Sequence, residues 1–130
     1  MVSNTWIVVE GVSGASCIDA GAVDMMERYT SGETFHLLVN TDCGGEAAII
    51  LSDEAERDRI FLEILNKGGR AMYIAPSNNV AIAWDCIATV THGSVGEELL
   101  VNGKRISYTS AEQCNDEMMG IVESLVAGEA

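Results

Sequence analysis

The fold prediction starts from residues 98–108, which read Glu98-Leu-Leu-Val-Asn-Gly-Lys-Arg-Ile-Ser-Tyr108. Apolar runs lie on both sides of Asn102-Gly103, and both central residues of a two-residue hairpin turn must adopt a positive φ. Asn and Gly tolerate that backbone best, so the segment predicts an antiparallel hairpin. A second hairpin is predicted where the apolar runs 34–39 and 46–51 flank the turn residues 40–45. Strands joined in hairpins favour an antiparallel sheet over a parallel sheet with crossover helices.

Three helices are expected to pack on this sheet. Asp19 is placed to cap a short helix over residues 20–29, and Asp53 to cap a longer one over 53–67. The capping box Ser110-x-x-Gln113 opens the third, which runs to Val126. The sequence therefore predicts a single α+β domain over residues 1–130, with an antiparallel sheet built from hairpins and about three helices packed on it. No internal repeat is evident along the chain.

The charge of the chain restricts its partners. Its 130 residues include 20 Asp and Glu but only 7 Lys and Arg, which gives a net charge of −13. Such a balance argues against direct binding to nucleic-acid phosphates or to anionic lipid. No apolar run approaches the ~20 residues of a membrane-spanning helix, and the first residues lack the pattern of a signal peptide. A cytoplasmic protein that does not enter membranes is predicted.

Catalytic motifs are missing from the sequence. Cys17, Cys43, Cys86 and Cys114 lie far apart, without the close pairs that form zinc sites, and they are predicted to be reduced structural thiols. His36 and His92 have no partner at a recognisable spacing. No catalytic residue, metal or cofactor is predicted, and this favours a binding protein over an enzyme.

The acidic composition suggests how such a protein would bind. Carboxylates presented in place of phosphates would occupy the basic groove of a protein partner. The preferred hypothesis is a non-enzymatic inhibitor or regulator that engages a basic protein, such as part of a nucleic-acid-handling complex, as a phage- or plasmid-type accessory protein would. Its partner-binding residues are predicted to be acidic side chains: Glu112, Asp116, Glu117, Glu123, Asp42 and Glu46.

Two alternatives remain open at this stage. In the first, basic side chains gather an anionic small molecule such as a nucleotide, since Arg donates through a planar fork. The residues of that site would be Arg57, Arg59, Arg70, Lys104 and Arg105. In the second, the protein is structural and forms homo-oligomers through exposed strand edges or through the methionine doublets 25–26 and 118–119.

Overall fold

The computed structural model of the protein describes residues 5–42, 44–76 and 79–127. Its first half contains a hairpin, a turn of 3-10 helix, a three-stranded meander and an α-helix. In chain order these are β1 (Trp6–Gly11), β2 (Gly14–Asp19), the 3-10 turn Ala20–Ala22, β3 (Val23–Ser31), β4 (Thr34–Thr41), β5 (Glu46–Leu51) and α1 (Glu54–Gly68).

The second half repeats this order of elements. Its hairpin, 3-10 turn, meander and helix are β6 (Met72–Ile74), β7 (Val80–Ala83), the 3-10 turn Trp84–Cys86, β8 (Val90–His92), β9 (Glu98–Val101), β10 (Lys104–Ser107) and α2 (Ala111–Ala127). The strand pairing also repeats, because β3-β4-β5 and β8-β9-β10 are both antiparallel meanders and β1-β2 and β6-β7 are both antiparallel hairpins. The chain thus consists of two similar units, which the sequence did not reveal.

Every strand pair in the described chain is antiparallel, as predicted. The strands form sheets in the orders β5-β4-β3-β7-β6, β10-β9-β8 and β1-β2. The turn at Asn102 and Gly103 has φ angles of 53° and 79°, the positive values that a two-residue hairpin turn requires. The α+β class and the hairpin construction are therefore confirmed.

The prediction of about three helices is wrong, since the described chain contains two α-helices. The expected helix over 20–29 is a single 3-10 turn, capped by the Asp19 carboxylate, and β3 follows it. A β-bulge between Val23 and Met25 places Val23 and Met26 on the same face of β3, both buried. Their spacing of three positions imitates a helical period, which explains the error.

Each unit has its own apolar core. The first core lies between α1 and strands β1–β5, and Ile18, Leu37 and Ile64 are buried in it. The second lies between α2 and β6–β10, where Ile82, Leu99 and Ile121 occupy the corresponding positions. The same scaffold is therefore packed twice, with the same residue type at each of these three core positions.

Candidate interaction surfaces

The two units are joined by one strand pair, β3 with β7. Met25 lies opposite Ile82, Met26 opposite Ala81, and Glu27 opposite Val80. Val80 and Ile82 are buried in the second core, while Ala81, on the other face of β7, is buried in the first. The hairpin of the second unit therefore completes the core of the first.

A side chain on β6 supports this arrangement. Met72 packs against the first core, and so does Leu65 at the end of α1. Ala81 and Met26 are both fully inaccessible to solvent. One face of the β6-β7 hairpin is thus covered by β3 and α1, which gives the junction an apolar centre.

Polar contacts surround this centre. The Arg70 guanidinium donates to the Val23 carbonyl at 2.9 Å and to the Asp24 carboxylate at 2.8 Å, and reaches Asp85 at 2.7 Å. The hydrogen bond from Arg70 to Asp85 holds the pKa of the Asp85 carboxyl below its ordinary value. On the other side, Lys104 forms an ion pair with Glu27. Both cations connect the second unit to the first.

The corresponding face of the first hairpin is exposed. Trp6 pairs with Asp19 and Met72 with Ala83, and Asp19 and Ala83 are the residues that precede the two 3-10 turns. Trp6 therefore corresponds to Met72, and by the same alignment Cys17 corresponds to Ala81. Trp6 is 54% exposed and the Cys17 thiol is also exposed. We call Trp6, Cys17 and the outer edge of β2 the hairpin face.

The second unit exposes the surface that would match it. On β8, Val90 pairs with Val101 as Met26 of β3 pairs with Val39, and Val39 and Val101 both lie in a Leu-Leu-Val-Asn sequence. Val90 therefore corresponds to Met26, but it is only partly buried. On α2, Val122 corresponds to Leu65, since both stand equally far from the helix N-cap residues Asp53 and Ser110, and it is 40% exposed. A groove of about 230 Å³ lies here, and it is lined by Ala88, Thr89, Val90, Val122, Leu125 and Val126. We call this groove, with the outer edge of β8, the receiving surface.

The acidic residues predicted to bind a partner lie in two places. Glu112, Asp116 and Glu123 are exposed on α2, whereas Asp42 and Glu46 are exposed at the turn between β4 and β5. Glu117 is different, because its carboxylate accepts a hydrogen bond from the Tyr73 hydroxyl at 2.7 Å. It therefore has a structural role within the second core.

The five basic residues of the anion-site hypothesis are spread over separate ion pairs. Arg57 lies on α1 and is buried against β3, where it donates to the Tyr29 carbonyl at 2.9 Å. The carboxylate partners are Glu54 and Asp58 for Arg57, Glu56 and Glu63 for Arg59, Asp24 and Asp85 for Arg70, Glu27 for Lys104, and Glu98 for Arg105. This dispersal does not favour a common anion site.

The three described cysteines differ in exposure: Cys17 is exposed, Cys86 is half-buried and Cys114 is buried. Cys17, Cys86 and Cys114 are free thiols, and Cys43 lies outside the described residues. Burial raises the pKa of Cys86 to about 11, with a further contribution from the Asp24 carboxylate.

Within the described chain no group of three or more His, Cys, Asp or Glu side chains is placed to hold a metal ion. No helix in that part of the chain is long and apolar enough to cross a membrane.

Comparisons with known proteins give one structural likeness. No protein-family model matches the chain, and no curated protein matches it. Among solved structures, the chain is similar to the LytTr DNA-binding domain of a response regulator from Bacillus cereus. The superposition has a TM-score of 0.48 with 11% sequence identity, and it covers 92% of this chain and 97% of that chain. At this level the likeness assigns no function to the chain.

Two predictions nevertheless need correction against this finding. The prediction of an inhibitor that engages a basic protein partner is contradicted by this comparison, in which the similar structure is a DNA-binding domain. The prediction of no direct nucleic-acid binding is contradicted by the same comparison. The first depended on net charge and on the missing catalytic motifs, and the second on net charge alone. Net charge describes the whole surface and not the arrangement of any one site.

Proposed function

We propose that the protein is a self-assembling module whose copies join through the hairpin face and the receiving surface. The observation that supports this is the difference between corresponding positions in the two units. Ala81 is fully buried at the junction within the chain, while Cys17, at the same position of the first hairpin, is exposed. A second copy would supply the cover that the second unit gives to the first.

The hairpin face and the receiving surface both present apolar side chains. Trp6 and Cys17 on one side, and Val122 and Leu125 on the other, are apolar groups that gain free energy when water is removed. Each large apolar side chain contributes about 1.5–3 kcal/mol when it is fully buried. Association itself costs on the order of 4–15 kcal/mol. We therefore expect weak, concentration-dependent assembly and not a permanent complex.

Sedimentation velocity tests the proposal at protein concentrations from about 1 µM to 1 mM, the range that such energies imply. The wild-type chain is expected to shift from monomer to larger species as the concentration rises. Cys17→Lys and Val122→Lys are each expected to keep the monomer at all concentrations, because a lysine ammonium would be buried in the contact. Circular dichroism and thermal unfolding establish that each variant is folded.

Met119→Lys is the matched control on α2. Met119 is 62% exposed, and Leu62, at the corresponding position of α1, stays 56% exposed in the first unit. The control is expected to assemble like the wild type. A wild-type chain that remains monomeric throughout, or a monomer that binds duplex DNA, would overturn the proposal.

A cytoplasmic location also stays a prediction, in keeping with free thiols.

A further inference from the structure

We infer that copies join head to tail, with β2 of one copy paired antiparallel to β8 of the next in the register that β7 and β3 use within the chain. This inference rests on the proposed function and adds the partner strand, the register and the polarity of the contact. It follows from the repeat, because each unit has a hairpin strand and a meander strand of the type that pair at the junction.

The register can be transferred residue by residue. Within the chain, Met26 of β3 lies opposite Ala81 of β7. The corresponding residues are Val90 of β8 and Cys17 of β2. Between copies, Val90 therefore lies opposite Cys17, with Thr89 opposite Ile18 and Thr91 opposite Ser16 on either side.

The backbone of β8 is arranged for such a pair. Gly93 N–H donates to the Glu98 carbonyl at 2.9 Å, and Asn102 N–H donates to the Thr89 carbonyl at 2.9 Å. Since hydrogen-bonding direction alternates along an antiparallel strand, the backbone groups of Val90 and His92 point away from β9. Among the described strands, β8 pairs only with β9 and β2 only with β1. Both outer edges are thus open to a further strand.

The side chains beside these edges also correspond. A cleft at the junction within the chain is lined by Met25, Asn40 and Ile82. A similar cleft of about 370 Å³ beside β2 is lined by Trp6, Cys17 and Ile18. In the cleft beside β2, Thr89 and Asn102 of the next copy would take the places that Met25 and Asn40 have at the junction within the chain. The contact between copies would repeat the junction within the chain.

The two contacts differ in one ion pair. Lys104 reaches Glu27 within the chain. The corresponding residues are Ala47 of one copy and Thr91 of the next, which carry no charge. The contact between copies is therefore weaker than the junction that it repeats, which agrees with reversible assembly.

A contact between two different surfaces leaves one of each surface unused on every pair of copies. Such a heterologous contact adds further copies, into a ring or an open chain, instead of stopping at a dimer. A symmetric contact, β2 with β2 or β8 with β8, would stop at the dimer. The number of copies that can be linked therefore distinguishes the two arrangements.

Val90→Cys tests the register, because it places a thiol directly opposite the native Cys17. Directly opposed residues of an antiparallel pair have Cα atoms about 4.5–5.5 Å apart, within the range that a disulfide spans. Under mild oxidation this variant is expected to give a ladder of covalent dimers, trimers and longer chains on a non-reducing gel. Two controls are run beside it. Wild type carries only the native cysteines, and Thr91→Cys presents its added thiol on the opposite face of β8. Neither is expected to give the ladder.

Mixing provides a second measurement that needs no new thiol. Cys17→Lys retains an intact receiving surface and Val122→Lys retains an intact hairpin face. Each alone is expected to be monomeric, while an equimolar mixture is expected to form 1:1 dimers and nothing larger. A ladder from Thr91→Cys equal to that from Val90→Cys, products that stop at the dimer, or no dimer in the mixture would overturn the inference. If the mixture gives dimers but Thr91→Cys forms the ladder as well as Val90→Cys, the proposed function stands and only the inferred register fails.

Discussion

At the residue scale, the Tyr73 hydroxyl connects three side chains of the second core by hydrogen bonds. It donates to the Glu117 carboxylate at 2.7 Å and lies 2.9 Å from the Tyr108 hydroxyl. Burial raises the pKa of both tyrosines. Tyr73→Phe leaves Glu117 without this donor, so we expect the free energy of unfolding in urea to fall by about 1–2 kcal/mol.

Tyr29→Phe is the control for this substitution. Tyr29 is 40% exposed and stacks on the His36 ring with centroids 4.6 Å apart, a contact that the ring retains without its hydroxyl. Its free energy of unfolding is expected to stay within about 0.5 kcal/mol of wild type. Equal losses in the two variants would contradict a structural role for the Tyr73 hydroxyl.

At the element scale, Asn102 connects the β9-β10 turn to the segment before β8. Its side-chain oxygen accepts from Ala88 N–H at 2.7 Å and Thr89 N–H at 3.1 Å, and its amide donates to the Cys86 carbonyl at 2.7 Å. Asn102→Ala removes these bonds and puts at positive φ a residue that tolerates this backbone less well than Asn. We expect the free energy of unfolding to fall by about 2 kcal/mol or more.

Asn102→Gly separates the two causes, because glycine accepts the positive φ but forms none of the side-chain bonds. It is expected to lie between Asn102→Ala and the wild type in stability. Hydrogen exchange at Ala88 and Thr89, whose amides donate to the Asn102 side chain, is expected to accelerate in both variants. Unchanged exchange at these amides would show that the turn does not hold β8 in place.

The hairpins were predictable because their turn chemistry is local, as the positive φ angles at Asn102 and Gly103 confirm. The repeat was missed because many other corresponding positions carry unlike residues, such as Arg57 and Cys114 or Ile60 and Glu117. The signal for it is the sequence Leu-Leu-Val-Asn, which occurs at residues 37–40 of β4 and again at the corresponding residues 99–102 at the end of β9. The candidate surfaces were missed for the same reason, because they are recognised only when one unit is compared with the other.

At the scale of the whole molecule, the charge of −13 opposes any contact between copies. Salt screens this repulsion, since the Debye length falls from about 10 Å at 0.1 M to about 3 Å at 1 M ionic strength. We therefore expect the assembly measured by sedimentation to become tighter as the NaCl concentration rises. Assembly that weakens with salt would indicate that complementary charges, and not apolar burial, hold the copies together.

The open edges of β2 and β8 have one more consequence. A head-to-tail chain of copies ends in a free hairpin face on one side and a free receiving surface on the other, so its two ends differ chemically. A variant with one blocked surface would then act as a chain stopper, added at one end only. The average length of the assemblies would be set by the proportion of stopper, much as a capping monomer sets the length of a polymer.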